Sequence, residues 1–162
     1  MHDDRPHGPA ILFLCLGNIC RSPLAEGAAR AAFARAGIAA RLDSAGTGDW
    51  HIGHPPDVRA QAEARRRGVD ISGLRARQLC RADFHRFDLI LAADARNLRD
   101  ARGFAPVDAT ARLRLMLDMV PGRAGRSVAD PYYGEADGFA VTWGDVDAVA
   151  AALVAEFSAS SG

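Results

Sequence analysis

Cys15 and Arg21 stand six positions apart in Cys15-Leu16-Gly17-Asn18-Ile19-Cys20-Arg21-Ser22-Pro23, a pairing suited to phosphoryl chemistry. A thiolate is a strong nucleophile, and a guanidinium offers two parallel donors to phosphate oxygens. The spacing alone is weak, because a chain with three cysteines and twenty arginines produces it by chance about one time in three. What strengthens it is that each neighbour has a use. Gly17 and Asn18 tolerate left-handed backbone angles, the Ser22 hydroxyl can donate to a thiolate, and Pro23 suits the first helical position.

Positioning these groups requires a strand before the segment and a helix after it. The run Ala10-Ile11-Leu12-Phe13-Leu14 precedes it and an alanine-rich helical pattern follows. A strand that ends at a helix N-terminus sets the cysteine beside unpaired backbone N–H groups and the positive end of the helix dipole, which favours the thiolate and an incoming anion. Cys15 is therefore the expected nucleophile, and Leu16, Gly17, Asn18, Ile19, Cys20 and Ser22 the expected anion-binding loop.

The rest of the chain must supply a scaffold. Its 162 residues, 49% of them hydrophobic, suit one domain with one core. All twenty basic residues are arginine, a compositional bias rather than a function, and the net charge of zero gives no support for a nucleic-acid or membrane partner. No apolar run approaches the ~20 residues of a membrane span, and the first residues lack a signal-peptide layout. A cytoplasmic protein is expected, with leaderless secretion left open. Three cysteines without a disulfide spacing fit a reducing compartment. Strands are expected at about 10–15, 39–45, 87–93 and 113–118, with helices between them, giving an α/β domain over 10–158 with short tails at 1–9 and 159–162. Phe139, Trp143, Val146, Ala150, Leu153 and Phe157 form the apolar face of a C-terminal helix.

Phosphate ester cleavage also needs a proton for the leaving oxygen. Asp130, which follows the glycine-containing stretch 121–125, is the candidate; the plainer reading is a turn cap before Pro131. No metal is expected, because Cys15 and Cys20 lack zinc-site spacing and His51 with His54 lacks a third ligand. No cofactor is expected either.

Cys15 to Pro23, taken with Asp130-Pro131-Tyr132-Tyr133-Gly134, Asp43-Ser44-Ala45-Gly46-Thr47 and Arg75-Ala76-Arg77-Gln78, resembles the low-molecular-weight protein tyrosine phosphatase family over nearly the whole chain. The resemblance implies a three-layer fold, with a four-stranded parallel sheet in order 2-1-3-4 and helices on both faces. It implies hydrolysis of phosphotyrosine esters through a phosphocysteine, with Cys15, Arg21 and Asp130 catalytic and Asp130 acting first as acid and then as base. Trp50, Tyr132 and Tyr133 would wall a crevice for the phenol ring, and their plainer role is to cover core edges. Asn18 and Ser44 would hold the strained loop ready. Family members often add a histidine where this chain has Leu74, so a looser loop is expected. Cys20 could form a reversible disulfide with an oxidised Cys15, although it could equally be a small apolar filler.

Two alternatives remain at this point. A thiol-dependent arsenate reductase of the same fold would need further downstream cysteines, and only Cys80 is present. A phosphotyrosine-binding module would not need both a nucleophile and an acid. The expected partner is a phosphotyrosine-containing protein, with phosphate or another oxyanion in the loop. A monomer is expected, with a weak dimer through Trp50, Tyr132 and Tyr133 as the alternative.

Overall fold

Strand β1 (Ala10–Cys15) is buried along its whole length, as expected for an apolar run covered on both faces. In the computed structural model, which describes residues 8–132 and 137–160, β1 lies between β2 (Arg41–Gly46) and β3 (Leu89–Ala92), and β4 (Arg112–Leu115) completes the sheet beyond β3. All three pairings are parallel and the order is 2-1-3-4, as the resemblance implied. Tyr133 and residues 134–136 lie outside the described residues.

Alternation along β1 divides the core. Ile11, Phe13 and Cys15 join the cluster built with α1 (Arg21–Ala36) and α5 (Asp137–Ser160), while Leu12 and Leu14 pack with Phe84 of α3 (Asp83–Arg86) and Ala101 of α4 (Ala95–Phe104). α2 (Val58–Arg66) lies beside α1 and α5. The expected apolar face of α5 is the buried one, with Phe139, Trp143, Val146, Ala150 and Leu153 enclosed and Phe157 partly so. Fully burying one such large side chain contributes roughly 1.5–3 kcal/mol. By length and composition α5 is long and apolar enough for a membrane-spanning helix, contrary to the expectation that no apolar run approaches that length. Here its apolar side packs on α1, α2 and the turn after β4.

Boundaries differ from expectation by a few residues. β4 ends at Leu115 instead of 118, and Met116–Met119 form a 3-10 turn. The cause is Asp118, whose carboxylate accepts the N–H of Leu115 at 3.0 Å and of Gly125 at 2.7 Å, folding the chain back on itself. α5 runs to Ser160, two residues past the expected domain end.

Because the chain passes from β2 across to β3, the strand order reverses between β1 and β3. Open α/β sheets place their ligand crevice outside the carboxyl ends of the strands at such a point. Cys15 ends β1 there, and Asp94 follows β3 on the other side.

Candidate active site

The helices differ in how their starts are closed. Asp57 caps α2 through the N–H of Arg59, and Asp94 caps α4 through the N–H of Asn97. α1 starts after Cys20 with no side-chain cap and no acidic residue in its first turn. Its exposed N–H groups and dipole are thus left for an external anion. Pro23 is the third helical residue rather than the first, still within the turn whose N–H groups lack helical partners.

Cys15 Sγ lies 3.0 Å from Ser22 Oγ and accepts the N–H of Asn18 at 3.3 Å. Asn18 holds the left-handed conformation at φ 57°, the strained angle expected of the loop. Gly17 does not share it. What glycine provides at position 17 is room, since a Cβ there would come within 2.9 Å of the His51 ring. Gly46 is needed for close approach, because its Cβ would meet the carbonyl oxygen of Leu16 at 2.7 Å. The N–H groups of Thr47 and Gly48 bind the carbonyls of Cys15 and Leu16, so the turn after β2 braces the loop.

The Asn18 side chain organises what lies beneath. Its amide donates to Ser22 Oγ at 2.8 Å and to Ser44 Oγ at 3.0 Å, and its oxygen accepts the N–H of Arg77 at 3.0 Å. Ser44 in turn donates to Glu26 Oε1 at 2.7 Å, and Arg30 Nε donates to Glu26 Oε2 at 2.8 Å. This network closes without a histidine, and Leu74 instead packs against the core. Glu26 receives the Ser44 proton and the backbone of Arg77 satisfies the Asn18 oxygen. Arg77 is itself fixed by Asp43 and Asp83, which explains two of the sequence stretches noted above. Glu26 is 1% exposed. Burial foremost raises its pKa, and the hydrogen bonds from Ser44 and Arg30 draw it back.

Arg21 is 3% exposed. Its Nη1 donates to Asp94 Oδ2 at 2.8 Å and to the carbonyl of Val128 at 3.0 Å, leaving the rest of the guanidinium toward the crevice. Asp130 Oδ2 lies 3.6 Å from Arg21 Nη2, and its other oxygen accepts the N–H of Tyr132 at 3.0 Å. Asp130 thus caps a turn, as its plainer reading had it, and also faces the loop.

These groups line a crevice of about 390 Å³ with Trp50, His51 and Tyr132 at its walls. Trp50 is 66% exposed at the rim, and its ring lies across Gly48, where any Cβ would overlap it. The His51 and Tyr132 rings stand 6.4 Å apart. Tyr133, the third expected wall residue, lies outside the described residues. Cys20 is buried in the loop, and burial first, then the Asp57 carboxylate, push its thiol well above the ordinary range. Among the described residues no three His, Cys, Asp or Glu side chains gather as a metal site.

Asp94, Glu26, Arg59 and the crevice role of His51 were not reached from the sequence. Asp94 had a usable signal, a carboxylate directly after the third expected strand. Glu26 had none, being one polar residue within an alanine-rich helix.

Comparison with known proteins agrees with this geometry. Residues 10–161 match the sequence profile of the low molecular weight phosphotyrosine protein phosphatases. The protein of that name from Schizosaccharomyces pombe is 42% identical over 132 residues, covering 80% of this chain and 84% of the relative. The crystal structure of YfkJ from Bacillus subtilis superposes with a TM-score of 0.88 at 36% identity, covering 98% of this chain and 99% of that one. Vibrio vulnificus Wzb, solved in complex with benzylphosphonate, gives a TM-score of 0.80 at 26% identity, covering 91% and 98%. With the profile matched from the first strand to the last helix, and relatives of this identity matched over most of their length, the chain belongs to the low molecular weight phosphotyrosine protein phosphatase family.

Proposed function

We propose that this chain hydrolyses phosphotyrosine esters through a phosphocysteine. The observation that carries the reading is Cys15 Sγ held between Ser22 Oγ at 3.0 Å and the Asn18 N–H at 3.3 Å, at the uncapped start of α1 and beside Arg21. In the first step the Cys15 sulfur bonds to phosphorus, the bond to the aryl oxygen breaks, and Asp130 gives its proton to the departing phenolate. Arg21 and the loop N–H groups from Leu16 to Ser22 hold the equatorial oxygens, whose charge they stabilise most at the transition state. In the second step the Asp130 carboxylate takes a proton from water, the water oxygen bonds to phosphorus, and the P–S bond breaks. Ser22 donates to the returning thiolate. Each step balances without a cofactor.

An aryl substrate is favoured by the walls of the crevice, since Trp50 and Tyr132 can hold a phenol ring that a phosphoserine lacks. The complex of Vibrio vulnificus Wzb with benzylphosphonate supports an aromatic oxyanion as ligand. Free cysteines at positions 15, 20 and 80 support a reducing, cytoplasmic setting, and the working form is a monomer with an open crevice.

The test is hydrolysis of p-nitrophenyl phosphate and of matched phosphotyrosine and phosphoserine peptides with EDTA present. Activity on the two aryl substrates alone, abolished by Cys15→Ser and slowed by Asp130→Asn, is expected. A wild type that binds vanadate but turns over neither would sink the proposal.

A further inference from the structure

Resting on the phosphatase reading, we propose that Arg59 is a positioning residue for Asp130, holding the downstream end of the acid-bearing loop so that its carboxyl reaches the leaving oxygen. Arg59 does not line the crevice, so its influence must pass through other groups, and the contacts show which.

Asp57, the cap of α2, donates its backbone N–H to the carbonyl of Ile19 at 2.9 Å, which ties the start of α2 to the anion loop. Its carboxylate clasps the Arg59 guanidinium at Nε (3.1 Å) and Nη2 (3.0 Å). Such a two-point carboxylate contact fixes the plane of the guanidinium. From that fixed plane, Nη2 donates to the carbonyl of Tyr132 at 2.8 Å. The same guanidinium lies 5.6 Å from the centre of the Tyr132 ring and 4.8 Å from that of Phe139 at the start of α5, a cation over two aromatic faces.

The consequence falls on Asp130. Upstream, the loop is held by the Val128 N–H on the carbonyl of Ala93 and by Arg21 on the carbonyl of Val128. Downstream, Tyr132 is the residue whose N–H binds the Asp130 carboxylate and whose carbonyl binds Arg59. Asp130 therefore sits on a short span fastened at both ends, and Arg59 supplies a fastening at the downstream end. Since Asp57 also grips Ile19, the acid is referenced to the phosphate loop itself. General acid catalysis depends on this reach being within hydrogen-bond distance.

The leaving group reads out the idea. A phenol as weak as tyrosine's (pKa about 10) needs the proton, whereas 2,4-dinitrophenol departs without it. We expect Arg59→Gln to lower kcat/KM about tenfold on phenyl phosphate and less than about twofold on 2,4-dinitrophenyl phosphate, a fraction of the effect of removing an acid outright. Arg59→Lys, which keeps a charged donor but not the two-point clasp, should fall between. In an Asp130→Asn background Arg59→Gln should add almost nothing, since both act on one proton transfer. Vanadate affinity should stay at the wild-type value. Equal losses on both substrates, full additivity with Asp130→Asn, or a parallel loss of vanadate binding would overturn the assignment. If Arg59→Gln does not fold, the leaving-group dependence of Arg59→Lys decides. A wild type inactive on aryl phosphates would refute the phosphatase reading instead, independently of Arg59.

Discussion

Ser44 donates its hydroxyl proton to the buried Glu26 carboxylate across 2.7 Å, and that contact sets the direction of the hydrogen bonds between there and Asn18. Both Glu26 oxygens accept, one from Ser44 and one from Arg30. With its proton committed, Ser44 can only accept from the Asn18 amide. The second amide hydrogen goes to Ser22, so Ser22 keeps its own proton to give, with the Cys15 sulfur at 3.0 Å the nearer acceptor and the Ala45 carbonyl at 3.5 Å the farther. A buried carboxylate one turn further along α1, on the same face as Ser22, thereby helps to orient the hydroxyl beside the Cys15 sulfur.

Glu26→Gln should therefore change both stability and its pH dependence. Burial raises the folded-state pKa of Glu26 above its ordinary value of 4.5, so the folded state binds the extra proton within the window between the two values. The stability associated with that proton is fully present below 4.5 and is lost as pH rises through the folded value. Urea midpoints of the wild type should fall relative to those of Glu26→Gln as pH rises above 4.5. Midpoints of the two proteins that stay parallel across pH 4 to 8 would contradict the burial argument.

Asn18 carries a backbone strain and a side-chain function that two substitutions separate. Asn18→Ala places a Cβ without hydrogen bonds at φ 57° and should cost about 1–2 kcal/mol for the left-handed angle, plus roughly 1–3 kcal/mol for the buried groups left unpaired. Asn18→Gly relieves the angle alone. Both should lower kcat/KM by tenfold or more, in keeping with about 10²-fold for small misplacements, while Asn18→Gly unfolds at higher denaturant. Recovery of activity in the glycine variant would show that the backbone angle alone matters.

Asp94 joins the fold to the site, capping α4 with one oxygen and holding Arg21 with the other. Asp94→Ala should cost about 1 kcal/mol for the cap and lower kcat/KM about tenfold through a misdirected guanidinium. Asp94→Asn keeps an acceptor and should lose far less in steady-state kinetics. Equal losses in both variants would mean that the charge of Asp94, and not its orientation of Arg21, is what counts.

Cys20 is the expected partner of an oxidised Cys15. Peroxide would convert the Cys15 thiolate to a sulfenic acid, which condenses with the Cys20 thiol to a disulfide and water, and a dithiol would restore both. Because burial and neighbouring carboxylates push the Cys20 thiol up, its attack should be slow near neutrality and accelerate with pH. Dithiol-recoverable activity after a peroxide pulse should be high in the wild type and low in Cys20→Ser. The same recovery in both would assign Cys20 to packing alone.

The chemistry of the loop was legible because it is local. Cys15, Arg21 and Ser22 fall within eight consecutive residues, and strand, turn and helix each leave a mark at that range. The same holds for α5, whose buried face follows helical spacing. Asp130 was reached as an acid the reaction requires and through the family resemblance of the Asp130-Pro131-Tyr132-Tyr133-Gly134 stretch, not from any local mark of what it faces. Asp94 was not reached although its place directly after the third expected strand was a usable signal, and Arg59 was not reached because nothing near it in sequence says what it faces.

Sequence alone therefore determined the candidate reacting groups, the strand and helix that present them, and the family. Tertiary structure decided which carboxylate holds Arg21, which arginine fastens the Asp130 loop, and which buried acid orients Ser44. Those partners lie 73 residues apart for Arg21 and Asp94, 73 for Arg59 and Tyr132, and 18 for Ser44 and Glu26. Hydrogen bonds act over about 3 Å, and only the 2-1-3-4 strand order and the seating of α1, α2 and α5 on one face bring such distant residues within that reach.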